Sequence, residues 1–347
     1  MHSTARLEQL PVELLLIIFS YLEGYDLIKA FANLNSFFDR LLHSSQVQIH
    51  LRVNEDMSEF SHIFIKNIRS LSDDSYHKHV SRFIDLHISQ LKQLQSLTIN
   101  VDDYDDTPIV SILPKLVHLE YLNIQCERSR QGSSILSVIV SLPTLRVCII
   151  KARRCSIKDI LAIDPVPLNN SIVHLNVHTR LQTSCLHSIL HRLSCLRSLQ
   201  VTYLTRNTSS LLPQSIFENL RMITFTDMSI KVSDFDEILQ KLPNLELISA
   251  GPILVGEHKF EEMLLDQRWM KSFDHIKRID IEIEWSFFME GKKEDMRTRL
   301  PQSHPGLRGP WHQYIDGCDN EHAFSFFIDF NRNMKKRNKW GLERDIF

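Results

Sequence analysis

Cys185, His187, His191 and Cys195 are the residues of this chain whose types and spacing come nearest to holding a metal ion. Thiolate sulfur and imidazole nitrogen are the usual zinc ligands, and His187 and His191 stand one helical turn apart. The stretch His187-Ser188-Ile189-Leu190-His191 nevertheless lacks the glutamate after its first histidine that a zinc peptidase uses as base. Cys195 falls where helical spacing gives way to strand spacing, away from the other three. His174 and His178 share one face of a strand, about 13 Å apart at ~3.3 Å per residue, too far to share an ion. The acidic run Asp102-Asp103-Tyr104-Asp105-Asp106 lacks the glycine and terminal glutamate of a calcium loop and reads as a solvated turn. No glycine-rich phosphate loop, nucleophile elbow or kinase signature occurs. The expectation is a protein that is not an enzyme and holds no metal or cofactor.

The elements that position these residues come from the composition and pattern of the whole chain. The 347 residues are 43 % apolar and 24 % charged, enough for one large domain or two ordinary ones. Forty basic residues against 42 acidic ones leave a net charge of −2, so there is no electrostatic footprint for nucleic acid or an anionic membrane. The basic stretch Arg332, Lys335, Lys336, Arg337 and Lys339 reads as a solvated helix face. The six cysteines form no CxxC pair, which suits a reducing compartment and predicts a cytoplasmic or nuclear location. The first apolar run, Leu14 to Phe19, lies between Glu13 and Glu23 and is far shorter than the roughly 20 residues a bilayer needs, so neither a signal peptide nor a membrane span is expected.

A repeat runs through the middle of the chain. The pattern L-x-x-L-x-L recurs in degenerate form from Leu94, Leu119, Leu145, Ile172, Leu196, Leu220, Leu245 and Ile276, at intervals of 25, 26, 27, 24, 24, 25 and 31 residues. Three places before each start the residue is apolar in all copies but Asn169. Leu113-Pro114, Leu142-Pro143 and Leu242-Pro243 end the segment before a strand, because proline disfavours helical geometry in the residue it follows. Between strands the spacing is helical, as in Phe235, Ile238, Leu239 and Leu242. One strand and one helix cannot bury both apolar faces alone, so the units must stack. The predicted fold is α/β, a curved solenoid with parallel strands on the concave side and helices on the convex side.

This solenoid resembles the leucine-rich-repeat family. That family carries an Asn or Cys just beyond the last strand leucine, whereas here the places hold Asp102, Glu127, Arg153, Arg180, Leu204, Met228 and Glu284, which predicts irregular repeats. If Leu97 and Ile99 enter the core, alternate residues line the open face. The candidate substrate contacts on that face are Tyr121, Asn123, His174, Asn176, His178, Gln200, Arg278, Asp280 and Glu282.

Ahead of the repeats stands LPVELLLIIFSYL, residues 10 to 22. An apolar stripe facing one core needs only positions i, i+3, i+4 and i+7, yet Leu14 to Phe19 cover the whole circumference of a helix. Two further short helices follow, from Tyr25 and from Ser36, the latter capped by Ser36 or Asn35. Three helices in about 35 residues make too small a core to stand alone, and leaving several Leu and Ile side chains in water costs about 1.5 to 3 kcal/mol each. A second polypeptide is expected to cover them.

These residues resemble the F-box: Leu10-Pro11, Glu13-Leu14-Leu15, Ile18-Phe19, Tyr21-Leu22, Asp26-Leu27, Ala30, and Asn35 with Phe38, where the family usually has Trp. The resemblance implies docking on the Skp-type adaptor of a cullin ubiquitin ligase, with Leu10, Pro11, Leu14, Ile18 and Phe38 as contacts. It implies a substrate-recognition adaptor that binds an unknown protein target through its repeats, with neither nucleic acid nor membrane as partner. A leucine-rich-repeat scaffold without a ubiquitin role is the alternative. The expected organisation is an F-box at 1–45, a linker or irregular first repeat at 46–90, the solenoid at 91–285 and an aromatic-rich C-terminal cap at 286–347. That last boundary rests on the 11 of the chain's 30 aromatic residues that fall from Trp285 onward. Within this tail Phe324, Phe326, Ile328 and Phe330 alternate like a strand, and the segment from Ser303 reads as a loop.

Overall fold

The computed structural model describes residues 6–53, 62–73, 79–101, 111–126, 138–156, 171–205, 216–229, 232–255, 276, 278–288, 312–315 and 321–331. The chain is α/β and forms two compact units, residues 1–179 with 192–195, and residues 180–191 with 196–347. The acidic run 102–106, the Ser303 loop and the basic stretch 332–339 lie outside the described residues.

The first unit opens with a 3-10 turn (Leu7–Gln9) and three helices, α1 (Val12–Ser20), α2 (Gly24–Phe31) and α3 (Ser36–Leu42). Strands β1 (Ile49–Val53) and β2 (Ile68–Asp73), helix α4 (His79–His87), and strands β3 (Ser96–Val101), β4 (Tyr121–Cys126) and β5 (Val147–Ser156) follow. Strand β6 (His174–Gln182) begins in this unit. Strands β1 to β5 lie side by side in chain order, every pair parallel. The segment 46–90, open in the sequence between linker and irregular repeat, thus contributes two strands to the sheet. Val47, Ile49, Leu51 and Val53 are buried and the residues between them exposed, the period-2 pattern of a strand with one face on a core.

The second unit contains all but the last residue of helix α5 (Thr183–Arg192), strands β7 (Ser198–Thr205) and β8 (Met222–Ser229), helix α6 (Val232–Gln240), and strands β9 (Leu247–Val255), β10 (Arg278–Phe288), β11 (His312–Ile315) and β12 (Glu321–Asn331). Strands β7 to β10 are parallel. The aromatic tail supplies β12, which runs antiparallel along β10 from Arg278↔Asn331 to Phe288↔Glu321, with β11 beyond it. Phe235, Ile238, Leu239 and Leu242 are buried, as their spacing predicts, and the Phe235 ring sits edge-on to Phe225 of β8 at 6.5 Å.

The repeat is written in the backbone as well as in the leucines. Glu120 and Tyr121 both donate to the carbonyl of Gln95, Arg146 and Val147 to that of Glu120, and Val173 and His174 to that of Arg146. In the second unit Arg221 and Met222 share the carbonyl of Arg197, and Glu246 and Leu247 that of Arg221. One carbonyl per repeat therefore seats the next strand. Polar side chains just before the strands reach back to the preceding repeat. Thr144 Oγ1 lies 2.9 and 3.0 Å from the carbonyls of Val117 and Leu119, Ser171 Oγ donates to Leu145 at 2.8 Å, and Asn244 Nδ2 donates to Glu218 at 2.9 Å. These bonds pair exposed and half-buried backbone acceptors at the seams between repeats.

The N-terminal helices are fastened to the first strand. A Cβ on Gly24, at the start of α2, would lie 2.5 Å from Ile49 Cγ2 and 2.9 Å from the backbone oxygen of His50. Gly24→Ala is expected to lower stability by about 1 to 3 kcal/mol through this overlap, outweighing the gain of about 1 kcal/mol in helix propensity, as read by denaturant unfolding. At the other end Asn67 Nδ2 donates to the carbonyls of Leu42 and Ser44, at 2.9 and 3.0 Å, closing the last turn of α3.

A candidate docking surface on the N-terminal helices

Proline at position 11 presets the extended approach to α1, whose first turn carries Glu13 where an acid favours the helix dipole. Ser20 Oγ folds back onto the Ile17 carbonyl at 2.7 Å, and α1 ends there. The chain turns into α2 and leaves it at Asn33, a left-handed residue with φ of 61°, a conformation that asparagine tolerates. The Asn33 amide donates to Asp39 Oδ1 at 2.8 Å, and Asn35 Oδ1 accepts from the amides of Phe37 and Phe38 at 3.0 and 3.1 Å, capping α3. Of the two caps the sequence offers, Asn35 is the one used.

Inside this segment Phe19, Phe31 and Phe38 pack in series with their rings tilted, centroids 4.8 and 5.2 Å apart. Leu15, Leu27, Leu41 and Leu42 are buried around them. Phe38 is 1 % exposed, which corrects its assignment as a docking contact. Its ring is enclosed by its own chain, so it builds the platform and presents nothing to a partner. Burial of α1 falls on Leu15 and Phe19, and a separate stripe faces out: Leu14, Ile17, Ile18 and Tyr21 are 46, 53, 37 and 84 % exposed. Their spacing of i, i+3, i+4 and i+7 places them on one face. Pro11 is exposed and Leu10 half-buried just before them, while Leu7, Tyr25 and Leu34 add further exposed apolar area on the 3-10 turn, α2 and the turn after α2. Of the expected contacts, Leu10, Pro11, Leu14 and Ile18 thus retain exposed surface. Ile17 and Tyr21, exposed on the same face, were not among the expected contacts, because only knowledge of which side Leu15 and Phe19 bury picks them out.

The outer sheet face has the predicted alternation. In the first unit Leu97, Ile99, Leu122 and Ile124 are buried, while Thr98, Tyr121 and Asn123 are half-exposed. Register pairing lines up Thr98, Asn123 and Ile149 in one rung and Asn100, Gln125 and Lys151 in the next. His174 is exposed, and Asn176 and His178 alternate with buried Leu175 and Val177. In the second unit Gln200, Thr224, Ser249 and Asp280 form a rung by direct register. Arg278, Asp280 and Glu282 occupy alternate positions of β10, and their side chains lie outside the described residues. Tyr203 was not anticipated. It stands beside Asp227 on the neighbouring strand and hydrogen-bonds to its carboxylate, which holds the phenol above its ordinary range.

Burial holds the His178 imidazole below its ordinary range, and the charge of Lys151 pushes the same way. The folded chain therefore takes up this proton less readily than the unfolded one, and stability is lost as pH falls below the ordinary histidine value. His178→Gln is expected to flatten the fall of melting temperature between pH 7 and 5. Lys151→Gln is expected to raise the His178 titration midpoint observed by NMR.

Cys185 is buried in α5 while His191 on the same helix is exposed, and the His187 side chain lies outside the description. Among the described residues no cluster of three or more His, Cys, Asp or Glu is placed to hold a metal, and no helix is long and apolar enough to cross a membrane. Burial pushes the Cys148 thiol up to about 12, so it behaves as a small apolar core residue. No protein-family model matches the chain, and no curated protein matches it either.

Proposed function

We propose that the chain is a substrate-recognition subunit of a cullin-type ubiquitin ligase. In this reading the N-terminal helices are an F-box that docks on a Skp-type adaptor, and the leucine-rich repeats hold a protein target on their polar face. The observation that carries it is the exposed stripe Leu14, Ile17, Ile18 and Tyr21, set on a helix whose other face is already buried. Its apolar area calls for a cover, and the Leu10-Pro11 pair with the ordered motif around it supports a Skp-type adaptor as that cover. The protein performs no chemistry of its own; holding a target near a separate transferase raises effective concentration there. A cytoplasmic or nuclear location belongs to the same reading.

The test is direct binding of the purified chain to a Skp-type adaptor, by calorimetry and by co-elution on size exclusion. A stoichiometric complex is expected. A chain that remains monomeric beside the adaptor returns the assignment to the leucine-rich-repeat scaffold without a ubiquitin role.

A further inference from the structure

Asn35 does two things at once. Its Oδ1 caps α3, and its Nδ2 donates to Glu8 Oε1 at 2.8 Å, across 27 residues of sequence. Glu8 sits in the 3-10 turn Leu7–Gln9, which is closed by the bonds Gln9 N to Arg6 O and Leu10 N to Leu7 O and by Arg6 N to Gln9 Oε1. This turn carries exposed Leu7 and delivers Leu10 and Pro11 to the start of α1. No buried apolar residue anchors the turn itself.

We propose that Asn35 is a positioning residue of the docking surface, latching Glu8 so that Leu7, Leu10 and Pro11 are held in register with the stripe on α1. The inference rests on the docking reading above. Its physical basis is preorganisation: a segment fixed before encounter does not lose its freedom on binding. The charge-assisted bond is the described tie between the turn and α3, while the stripe itself is held by the packing of Leu15 and Phe19.

The two roles of Asn35 separate by substitution. Asn35→Asp keeps an acceptor for the Phe37 and Phe38 amides, since aspartate caps as well as asparagine. It removes the donor to Glu8 and sets two carboxylates against each other. Adding Glu8→Gln restores the bond with donor and acceptor exchanged, the glutamine amide now donating to the carboxylate introduced at position 35. Adaptor affinity is expected to fall about five- to tenfold in Asn35→Asp, the worth of one such bond, and to recover to within about twofold in the double variant. Hydrogen exchange should quicken at the Gln9 and Leu10 amides in the single variant alone, with the Phe38 to Leu42 amides unchanged in both.

Adaptor affinity equal to the parent in Asn35→Asp overturns the latch and leaves the docking assignment intact, as does a loss the double variant fails to recover. If the parent chain itself does not bind the adaptor, the docking assignment falls and the positioning role falls with it. The exchange data then decide whether Glu8 and Asn35 order the turn at all.

Discussion

Leu14→Asp combined with Ile18→Asp is expected to weaken adaptor binding at least a hundredfold while leaving the unfolding of the free chain almost unchanged. Both side chains already lie partly in water, so charging them costs the isolated protein little; exposed substitutions usually stay within about 0.5 kcal/mol. In a complex the same atoms would be covered. Burying an aliphatic side chain is worth about 1.5 to 3 kcal/mol when complete, and the half that remains here contributes roughly 1 kcal/mol at each position. Stranding two carboxylates in an apolar contact adds a desolvation penalty of at least similar size. The total exceeds the roughly 2.7 kcal/mol that corresponds to two decades of affinity. Titration calorimetry on the variant, with thermal melts alongside, reads both numbers. Undiminished binding would remove the stripe from the interface, and a collapsed melting curve would mean that the stripe belongs to the chain's own core.

The opposite pattern is expected for Phe38→Ala. This ring touches Phe31 and Phe37 and is sealed from solvent, so truncating it leaves a cavity among packed side chains. Phe→Ala changes of this kind cost about 3 to 5 kcal/mol. Adaptor binding should fail in proportion to the unfolding of the helical segment, and Phe38→Leu, which refills much of the volume, should restore most of both. A melting temperature that does not move, together with lost binding, would return Phe38 to the contact surface.

The strands were legible because they alternate. Leu97 and Ile99, Leu122 and Ile124, and Ile223 and Phe225 show period 2 against polar neighbours and all turn inward, and β12 was readable from Phe324 to Phe330 for the same reason. β2 was harder: Ile68-Arg69-Ser70-Leu71 spaces its buried residues by three, a helical interval, and its strand geometry comes from pairing with β1 and β3. The helices α2 and α6 announced themselves by one-sided patterns. α1 could not, since a helix apolar all round carries no information about which side is covered. That ambiguity left Ile17 and Tyr21 unassigned, whereas Phe38, on α3, was taken as a contact from its place in the F-box resemblance and is buried. Hydrogen bonds such as that between Glu8 and Asn35 have no sequence signal at all, because two polar residues 27 apart meet only once the turn between α2 and α3 is formed.

Six residues separate α3 from β1, and none of that short span is left as slack. Gly24 lets α2 rest on Ile49 and His50, and Asn67, just ahead of β2, clasps the end of α3. A body seated on α1 is therefore carried on a bracket and not on a leash. Its bearing toward the sheet of the same unit is set by backbone contact, so any cargo on that sheet would be shown to its neighbour from one fixed angle.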